Sequence, residues 1–178
     1  MSKGAIGSCL LLAIAAFLVL RPWEETENGD GGSPRAVALV TRVIDGDTFE
    51  ARIDGEEEDV RLIGVDTPES VKPGTPVECS GPQASDFAHR LLEGRRVRLV
   101  FGEERRDHFD RLLAYAYLDP GLEPHAPDRP RFVNAALVRE GLAETLTIPP
   151  NDRFAPLLRR LELRAARAGE GLWGACRP

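Results

Sequence analysis

Two acidic turns joined by strand-like segments occupy residues 43–69 (VIDGDTFEARIDGEEEDVRLIGVDTPE) and constrain the fold more than any other stretch. Within it, residues 48–53 alternate between apolar and polar side chains, the period of a half-buried strand. Asp54-Gly55 is typical of a two-residue hairpin turn, and residues 60–65 form the next apolar run. Together with the β-rich residues 36–44, the stretch predicts a three-stranded meander.

The rest of the chain predicts two more strands and three helices. A helix is expected from Gly81-Pro82 to Gly94, because proline suits a first helical turn, apolar residues recur at helical spacing and glycine ends the pattern. Residues 96–101 and 111–118 predict strands four and five. Residues 132–142 predict a short helix, and the last helix starts near Ala155-Pro156. This order, βββ-α-ββ-α-α, predicts an α+β fold in which a five-stranded OB-type barrel packs against three helices.

The N-terminal part of the chain differs in kind from the predicted domain. Residues 4–20 are almost entirely apolar and are closed by Arg21, which predicts a membrane-directed segment over residues 1–21. No A-x-A cleavage site follows the run, so the sequence favours an uncleaved anchor; a cleaved signal peptide and a buried soluble helix are the alternatives. Residues 22–35 are typical of a flexible acidic linker. The folded domain is therefore expected over residues 36–178, membrane-tethered and outside the cytoplasm.

Length and charge limit the classes of function. A chain of 178 residues suits one domain of ordinary core size with a terminal extension. The formal net charge of -6 argues against binding nucleic acid through a broad basic surface. It does not exclude a small cationic site that contains a metal.

Two of the three cysteines fall in the predicted domain, Cys79 in a loop and Cys176 third from the end. In an oxidising compartment they are expected to pair. Two unrelated free thiols are the alternative. A zinc site is disfavoured, because no C-x-x-C motif or paired histidine accompanies them.

The carboxylates of Asp47 and Asp66 predict a metal site. Each lies where a strand meets a turn, so a meander can bring both to one end of the barrel. Two carboxylates and a backbone carbonyl form a suitable partial shell for a hard cation. Either motif alone is weak evidence, since Asp is common in turns. Their joint occurrence is far more specific.

Arg61 and Arg111 each open an otherwise apolar strand and need an anionic partner if they face inward. One interpretation is an internal salt bridge, to Glu50 or Asp66, or exposure of the guanidinium to water. The other is that the two guanidiniums clamp a phosphate, whose oxygens match their paired donors. Such a clamp with a divalent cation would promote phosphodiester hydrolysis, and Glu69 would be the general base.

Several motifs resemble, in chain order, those of the thermonuclease (staphylococcal nuclease-like) family: IDGDT, VRLIGVDTPE, GPQAS, the arginine before LLAYAY, VNAALVREGLA and GLW. The resemblance covers about residues 40–173. It implies an OB-fold nuclease that uses calcium to hydrolyse DNA and RNA and leaves 3'-phosphate ends. The residues it assigns are Asp47, Asp66 and the carbonyl of Thr67 to calcium, Arg61 and Arg111 to the phosphate and transition state, and Glu69 to the base.

Three departures from the founding members of that family bear on the substrate. Asp110 and Leu112 flank Arg111, where glycines are usual. Residues 143–151 (AETLTIPPN) lack the tyrosines that stack on the nucleotide, which leaves base preference open. The proline-rich loop at residues 119–131 is longer than expected.

The expected function is therefore a monomeric, membrane-tethered nuclease that acts on nucleic acid. A nuclease-like module that has lost catalysis and binds nucleic acid or protein is the alternative, and the presence of all six catalytic-position residues argues against it. An OB-fold adaptor would explain the apolar segment but neither the arginine pair nor Glu69.

Overall fold

A computed structural model describes residues 34–70, 74, 76–122 and 131–176. The predicted membrane segment and most of the predicted linker lie outside them, and no helix in the described part is long and apolar enough to cross a bilayer. The strands are β1 (Arg35–Val43), β2 (Thr48–Ile53), β3 (Glu56–Leu62), β4 (Val65–Asp66), β5 (Arg96–Arg106), β6 (Leu112–Leu118), β7 (Arg131–Phe132) and β8 (Glu144–Thr145). The helices are α1 (Gly81–Leu92), α2 (Val133–Arg139), α3 (Ala155–Ala168) and α4 (Leu172–Ala175).

Five of these strands close into a barrel in the order β1-β2-β3-β6-β5. Strand β1 pairs antiparallel with β2 and β5, and β2 pairs antiparallel with β3. Strand β6 pairs antiparallel with β5 and parallel with β3, where Val60 lies opposite Leu112. This parallel seam closes the barrel. The prediction of a five-stranded OB-type barrel with packed helices is confirmed.

The tight turn between β2 and β3 makes the third strand begin earlier than predicted. Asp54 and Gly55 have φ values of 52° and 96°, the left-handed pair that a two-residue hairpin requires. Ile53 therefore pairs directly with Glu56, and an acidic run enters the strand. The prediction of one strand over residues 60–65 was wrong, because it followed hydrophobicity and took no account of pairing across the turn. The predicted strand is interrupted at Ile63 and Gly64, and its last residue, Val65, begins β4, which pairs with β8.

The three predicted helices are all present, as α1, α2 and α3. Helix α2 is shorter than predicted, since it ends before Gly141, whose φ of 67° stops a helix. The short helix α4 was not predicted. Strand β5 also continues five residues past its predicted end at Phe101, so the turn to β6 is tighter than expected.

The core fills the barrel and the space between barrel and helices. Phe49, Val60 and Leu99 are at most 1% exposed. Buried Asn134 of α2 donates to the Ile63 carbonyl (2.8 Å) and accepts from the Ala116 amide (3.0 Å). A buried amide side chain that is satisfied in this way ties α2 to the barrel wall beneath the site described next.

Candidate functional site

The two acidic motifs meet at one end of the barrel. The Asp45 carboxylate accepts the backbone N–H groups of Asp47 (3.0 Å) and Thr48 (2.8 Å), which folds the first motif into a side-chain-stabilised turn. A Cβ added to Gly46 would lie 2.7 Å from the Thr67 side chain, closer than real Cβ atoms come. Glycine at this position is therefore what allows the first motif to contact the second.

Asp47 is the buried link between the motifs, with only 4% of its surface exposed. One carboxylate oxygen accepts both the backbone N–H (2.7 Å) and the hydroxyl (3.0 Å) of Thr67. The other accepts the Thr48 hydroxyl at 3.1 Å. The predicted metal ligands Asp47 and Thr67 are thus brought into direct contact.

Arg61 lies between the two predicted metal-binding carboxylates. Its guanidinium forms an ion pair with Asp47 and donates a 2.8 Å hydrogen bond to Asp66, and its side chain is 14% exposed. Of the two salt-bridge partners considered from the sequence, Asp66 is a partner and Glu50 is not, since Glu50 pairs with Arg42. In this arrangement Arg61 neutralises part of the acidic cluster itself.

Asp45 is a member of the cluster that sequence reasoning assigned only to a turn. Burial and the neighbouring negative charge of Asp47 raise the pKa of Asp45 to about 6, while Arg61 opposes the shift. The carboxylates of Asp45, Asp47 and Asp66 carry three negative charges against one guanidinium when all are ionised. The cluster therefore carries a net negative charge when these carboxylates are ionised.

Arg111 is held within its own loop rather than by the cluster. One oxygen of Asp107 accepts from Arg111 Nε (2.8 Å) and Nη2 (2.6 Å), and the other accepts the backbone N–H groups of Arg111 (3.0 Å) and Phe109 (2.9 Å). Burial opposes the ionisation of Asp107, but the hydrogen bonds from Arg111 outweigh it and lower the pKa of Asp107. Sequence reasoning missed Asp107, although an acid four residues before the arginine was the signal.

The residue before Arg111 shows how the loop tolerates the absence of a glycine. Asp110 has a φ of 68°, in the left-handed region that glycine adopts most readily and that Asp tolerates better than most residues. Its carbonyl accepts from Arg106 at 2.6 Å, and Arg106 also forms a paired ion pair with Glu58 of β3. These contacts stabilise the left-handed backbone conformation at residue 110, which glycine would adopt without strain.

Both arginines line one cleft of about 320 Å³ at the parallel seam. The seam places Arg61 opposite Leu113, two residues after Arg111. Leu146 and Ile148 also line the cleft and are 39% and 58% exposed, so aliphatic side chains are found in the segment where stacking tyrosines were noted as absent. The remaining lining residues are Leu62, Ile63, Gly64, Val65, Glu104, Asp107, His108 and Asn151.

Glu69 follows the cluster but does not itself line the cleft as the structure describes it. Its backbone is paired with Glu78: the Glu69 N–H donates to the Glu78 carboxylate (2.9 Å), and the Glu78 N–H donates to the Glu69 carbonyl (2.9 Å). The Glu69 carboxylate accepts the backbone N–H of Ser70 at 2.9 Å. Cys79 comes next and forms a disulfide with Cys176.

The oxygen donors at the acidic cluster fit a hard divalent cation. No group of three or more His, Cys, Asp or Glu side chains within the described ranges has a ready metal-binding arrangement. The predicted set needs only Asp47, Asp66 and a carbonyl, and the unbalanced negative charge around them favours a cation. The two carboxylates are now bridged by Arg61, so a cation there would share them with that guanidinium.

Comparison with known proteins finds that the chain is similar to nucleases. A family model described as staphylococcal nuclease homologue matches residues 59–175. The chain is 39% identical to a thermonuclease of Staphylococcus intermedius, covering 92% of this chain and 94% of the relative, and 35% identical to a thermonuclease of Staphylococcus hyicus, covering 92% and 95%. It is also 34% identical to endonuclease YncB of Bacillus subtilis over 74% of this chain and 59% of that protein.

Proposed function

The chain belongs to the family of staphylococcal nuclease homologues and is a nuclease, and we propose that it hydrolyses DNA and RNA in a calcium-dependent reaction that leaves 3'-phosphate ends. The observation that carries this proposal is the shared cleft. One guanidinium from β3 and one from the loop before β6 line the same cleft, and an acidic cluster lies directly beside the first of them.

Arg61 and Arg111 would bind the scissile phosphate from two sides. Arg111 offers its guanidinium to the cleft while Asp107 holds Nε and Nη2. Paired N–H donors match phosphate oxygens, and two guanidiniums offset the charge that grows on those oxygens in the transition state. This arrangement lowers the repulsion between an anionic phosphodiester and an incoming nucleophile.

Asp47, Asp66 and the Thr67 carbonyl would hold the calcium ion. When bound, calcium supplies positive charge to phosphate oxygens and lowers the pKa of coordinated water. Thr67 is in turn fixed by Asp47 through two hydrogen bonds, so the carbonyl and the carboxylate keep one relative position.

Glu69 would act as the general base. A water oxygen attacks phosphorus, Glu69 takes up the proton of that water, and the bond from phosphorus to the 5' oxygen breaks. The 5' oxygen takes up a proton from solvent and leaves as a hydroxyl group, and the phosphate stays on the 3' oxygen.

The residues that line the cleft suit a flexible nucleic acid of any base sequence. Leu146 and Ile148 offer apolar contact area to a base but no aromatic face for stacking. We infer weak base preference and action mainly on single-stranded or unwound nucleic acid.

A nuclease assay on the full-length chain, with and without calcium, tests the proposal. Cleavage should stop with a calcium chelator and return on adding calcium, and Glu69→Gln should lower kcat by orders of magnitude in a folded protein. End-group analysis should find 3'-phosphate. Binding of nucleic acid without cleavage under all these conditions would instead favour the module that has lost catalysis, and full activity of Glu69→Gln would remove the base assignment.

We also propose that the domain works outside the cytoplasm, tethered by residues 1–21. The apolar run and the disulfide support this, because disulfides persist in oxidising compartments. Protease added to intact cells should digest the domain, and the protein should sediment with membranes. Protection from protease until the cells are lysed would contradict the proposal.

A further inference from the structure

We propose that Glu78 and the Cys79–Cys176 disulfide form a clamp that positions Glu69 for catalysis. The inference rests on the proposed role of Glu69 as general base. It adds two elements that act through that residue without touching the substrate, and it makes the oxidised state of the disulfide a condition for full activity.

The first part of the clamp is the reciprocal pairing of residues 69 and 78. Both backbone polar groups of Glu69 are bonded to Glu78, one to its carboxylate and one to its N–H, each at 2.9 Å. Two bonds from one residue fix both the position and the direction of the peptide groups on either side of the Glu69 Cα. They do this although Glu78 is exposed and eight residues separate the two in sequence.

The second part is close packing at the start of α1. A Cβ added to Gly81 would lie 2.6 Å from the Glu69 carbonyl oxygen and 3.0 Å from that of Pro68. The Gly81 N–H donates to the Glu78 carbonyl at 3.0 Å, so the segment from Glu78 to Gly81 forms one tight turn against Glu69. The backbone of Glu69 therefore lies against a turn that leaves no space for Glu69 to shift toward α1.

The third part anchors that turn to the far end of the chain. Cys79 lies inside the turn and is bonded to Cys176, which follows α4 directly. Helix α4 is itself held on the end of α2, since Leu172 is 7% exposed and donates its N–H to the Gly141 carbonyl at 2.9 Å. The disulfide thus connects the turn beside Glu69 covalently to the end of α4, and without it the turn keeps its hydrogen bonds to Glu69 but loses that covalent link.

Loss of the clamp should reduce kcat more than substrate affinity. The phosphate would be held by Arg61 of β3 and Arg111 of the loop before β6, and the contacts of the clamp described above do not include either arginine. A displacement of about 1 Å at a reacting group can cost as much as a hundredfold in rate. The pattern expected is a lower kcat with an almost unchanged KM.

The test compares Glu78→Ala with Glu78→Gln in steady-state kinetics of the full-length protein with calcium. Glu78→Ala should lower kcat about tenfold with KM within about twofold, while Glu78→Gln, whose amide oxygen still accepts the Glu69 N–H, should stay near the parent rate. Glu56→Ala, which removes an exposed glutamate at the β2–β3 hairpin, is the matched control and should change neither constant. Thermal unfolding of each variant ensures that rates are measured on folded protein.

The disulfide is tested by reduction and by replacement. A dithiol donates two electrons and two protons to the Cys79–Cys176 bond, leaving two thiols, and itself closes to a disulfide. Reduction should lower kcat, reoxidation should restore it, and a Cys79→Ser/Cys176→Ser variant should be slow from the start and insensitive to the dithiol. In that variant Glu78→Ala should add less than its separate effect, since the two act on one turn.

The outcomes separate the clamp from the proposed function. If Glu69→Gln is inactive while Glu78→Ala and the reduced protein keep the parent kcat, the clamp is wrong and the base assignment stands. A rise in KM at constant kcat would also overturn the clamp. If Glu69→Gln itself is fully active, the proposed role of Glu69 fails, whatever the Glu78 variants show.

Discussion

Arg61 and Arg111 face the same cleft but depend on different parts of the chain for their orientation. Arg61 is 14% exposed and is bonded to Asp47 and Asp66, two carboxylates proposed to hold calcium. Arg111 is 26% exposed and is bonded to Asp107 in its own loop. The first arginine is therefore coupled to the metal site, whereas the second is oriented independently of it. A change at the acidic cluster should alter metal binding and phosphate binding together, and a change in the loop should alter phosphate binding alone.

The largest effect is expected from Asp47→Ala. It removes the acceptor for both Thr67 donors and an ion-pair partner of Arg61 at a buried position at the end of the barrel. We expect activity to fall by orders of magnitude and the free energy of unfolding to drop by about 3 kcal/mol. Nuclease assays and urea denaturation measure the two effects. An inactive variant of unchanged stability would show that Asp47 serves catalysis without holding Arg61.

Asp107→Ala should have a smaller effect, confined to the arginine loop. Arg111 would lose its only ion-pair partner among the described residues, and its guanidinium would be oriented only weakly, by the ring of Phe109. We expect kcat/KM to fall about tenfold to a hundredfold, equivalent to about 1.4 to 2.8 kcal/mol. The calcium concentration that gives half-maximal activity should stay at the parent value. A shift in that concentration would mean that the loop and the metal site are coupled after all.

The two regions should also respond to pH in opposite directions. The folded pKa of Asp45 is about 6, above its unfolded value of roughly 3.9, so in calcium-free protein its contribution to stability is full below pH 4 and is lost as pH rises through 6. Asp107, whose pKa is lowered, stabilises above its unfolded pKa and loses that contribution as pH falls through its folded value. Asp45→Asn should remove about 1 to 2 kcal/mol of the change in stability between pH 4 and pH 7. Urea denaturation in a chelator, for parent and variant, measures this difference, and an unchanged slope would contradict it.

The smallest effect is expected from Asp110→Gly, which tests the loop conformation alone. Glycine adopts the φ of 68° without strain, and the weak, exposed ion pair with Arg106 is lost. We expect a net gain of about 0.5 kcal/mol in unfolding free energy and little change in kcat. A large loss of activity would show that the Asp110 side chain has a role beyond its backbone conformation.

Much of the barrel could be predicted because its signals are local. The alternation in β2, the Asp54-Gly55 turn and the apolar stripe of α1 follow from residues close in sequence. The start of β3 and the existence of β8 depend on pairing with distant strands, which hydrophobicity does not encode. The parallel seam between β3 and β6 is likewise set by the packing of the whole barrel.

The candidate site divides in the same way. Asp47, Asp66, Arg61 and Arg111 stood out because a charge beside an apolar strand needs an explanation, and the structure brings them to one end of the barrel. Asp45 and Asp107 did not stand out, because acids in turns are common and their contacts become visible only when the turn is folded. The roles of Arg61, Arg111, Glu69 and the calcium ligands remain predictions that the experiments above address.

The parallel pairing of Val60 with Leu112 has a further consequence for heat inactivation. One arginine follows Val60 and the other precedes Leu112, so the hydrogen bonds that close the barrel also set the spacing of the two guanidiniums. Thermal breathing of this seam would separate them before the rest of the molecule unfolds. The Ile63 N–H donates to the Ala114 carbonyl of β6 at 3.0 Å, and its hydrogen exchange should therefore follow the loss of catalytic rate on warming more closely than the melting of α1 does. In this nuclease, the temperature dependence of the rate would report the fraction of molecules in which the β3–β6 pairing is intact.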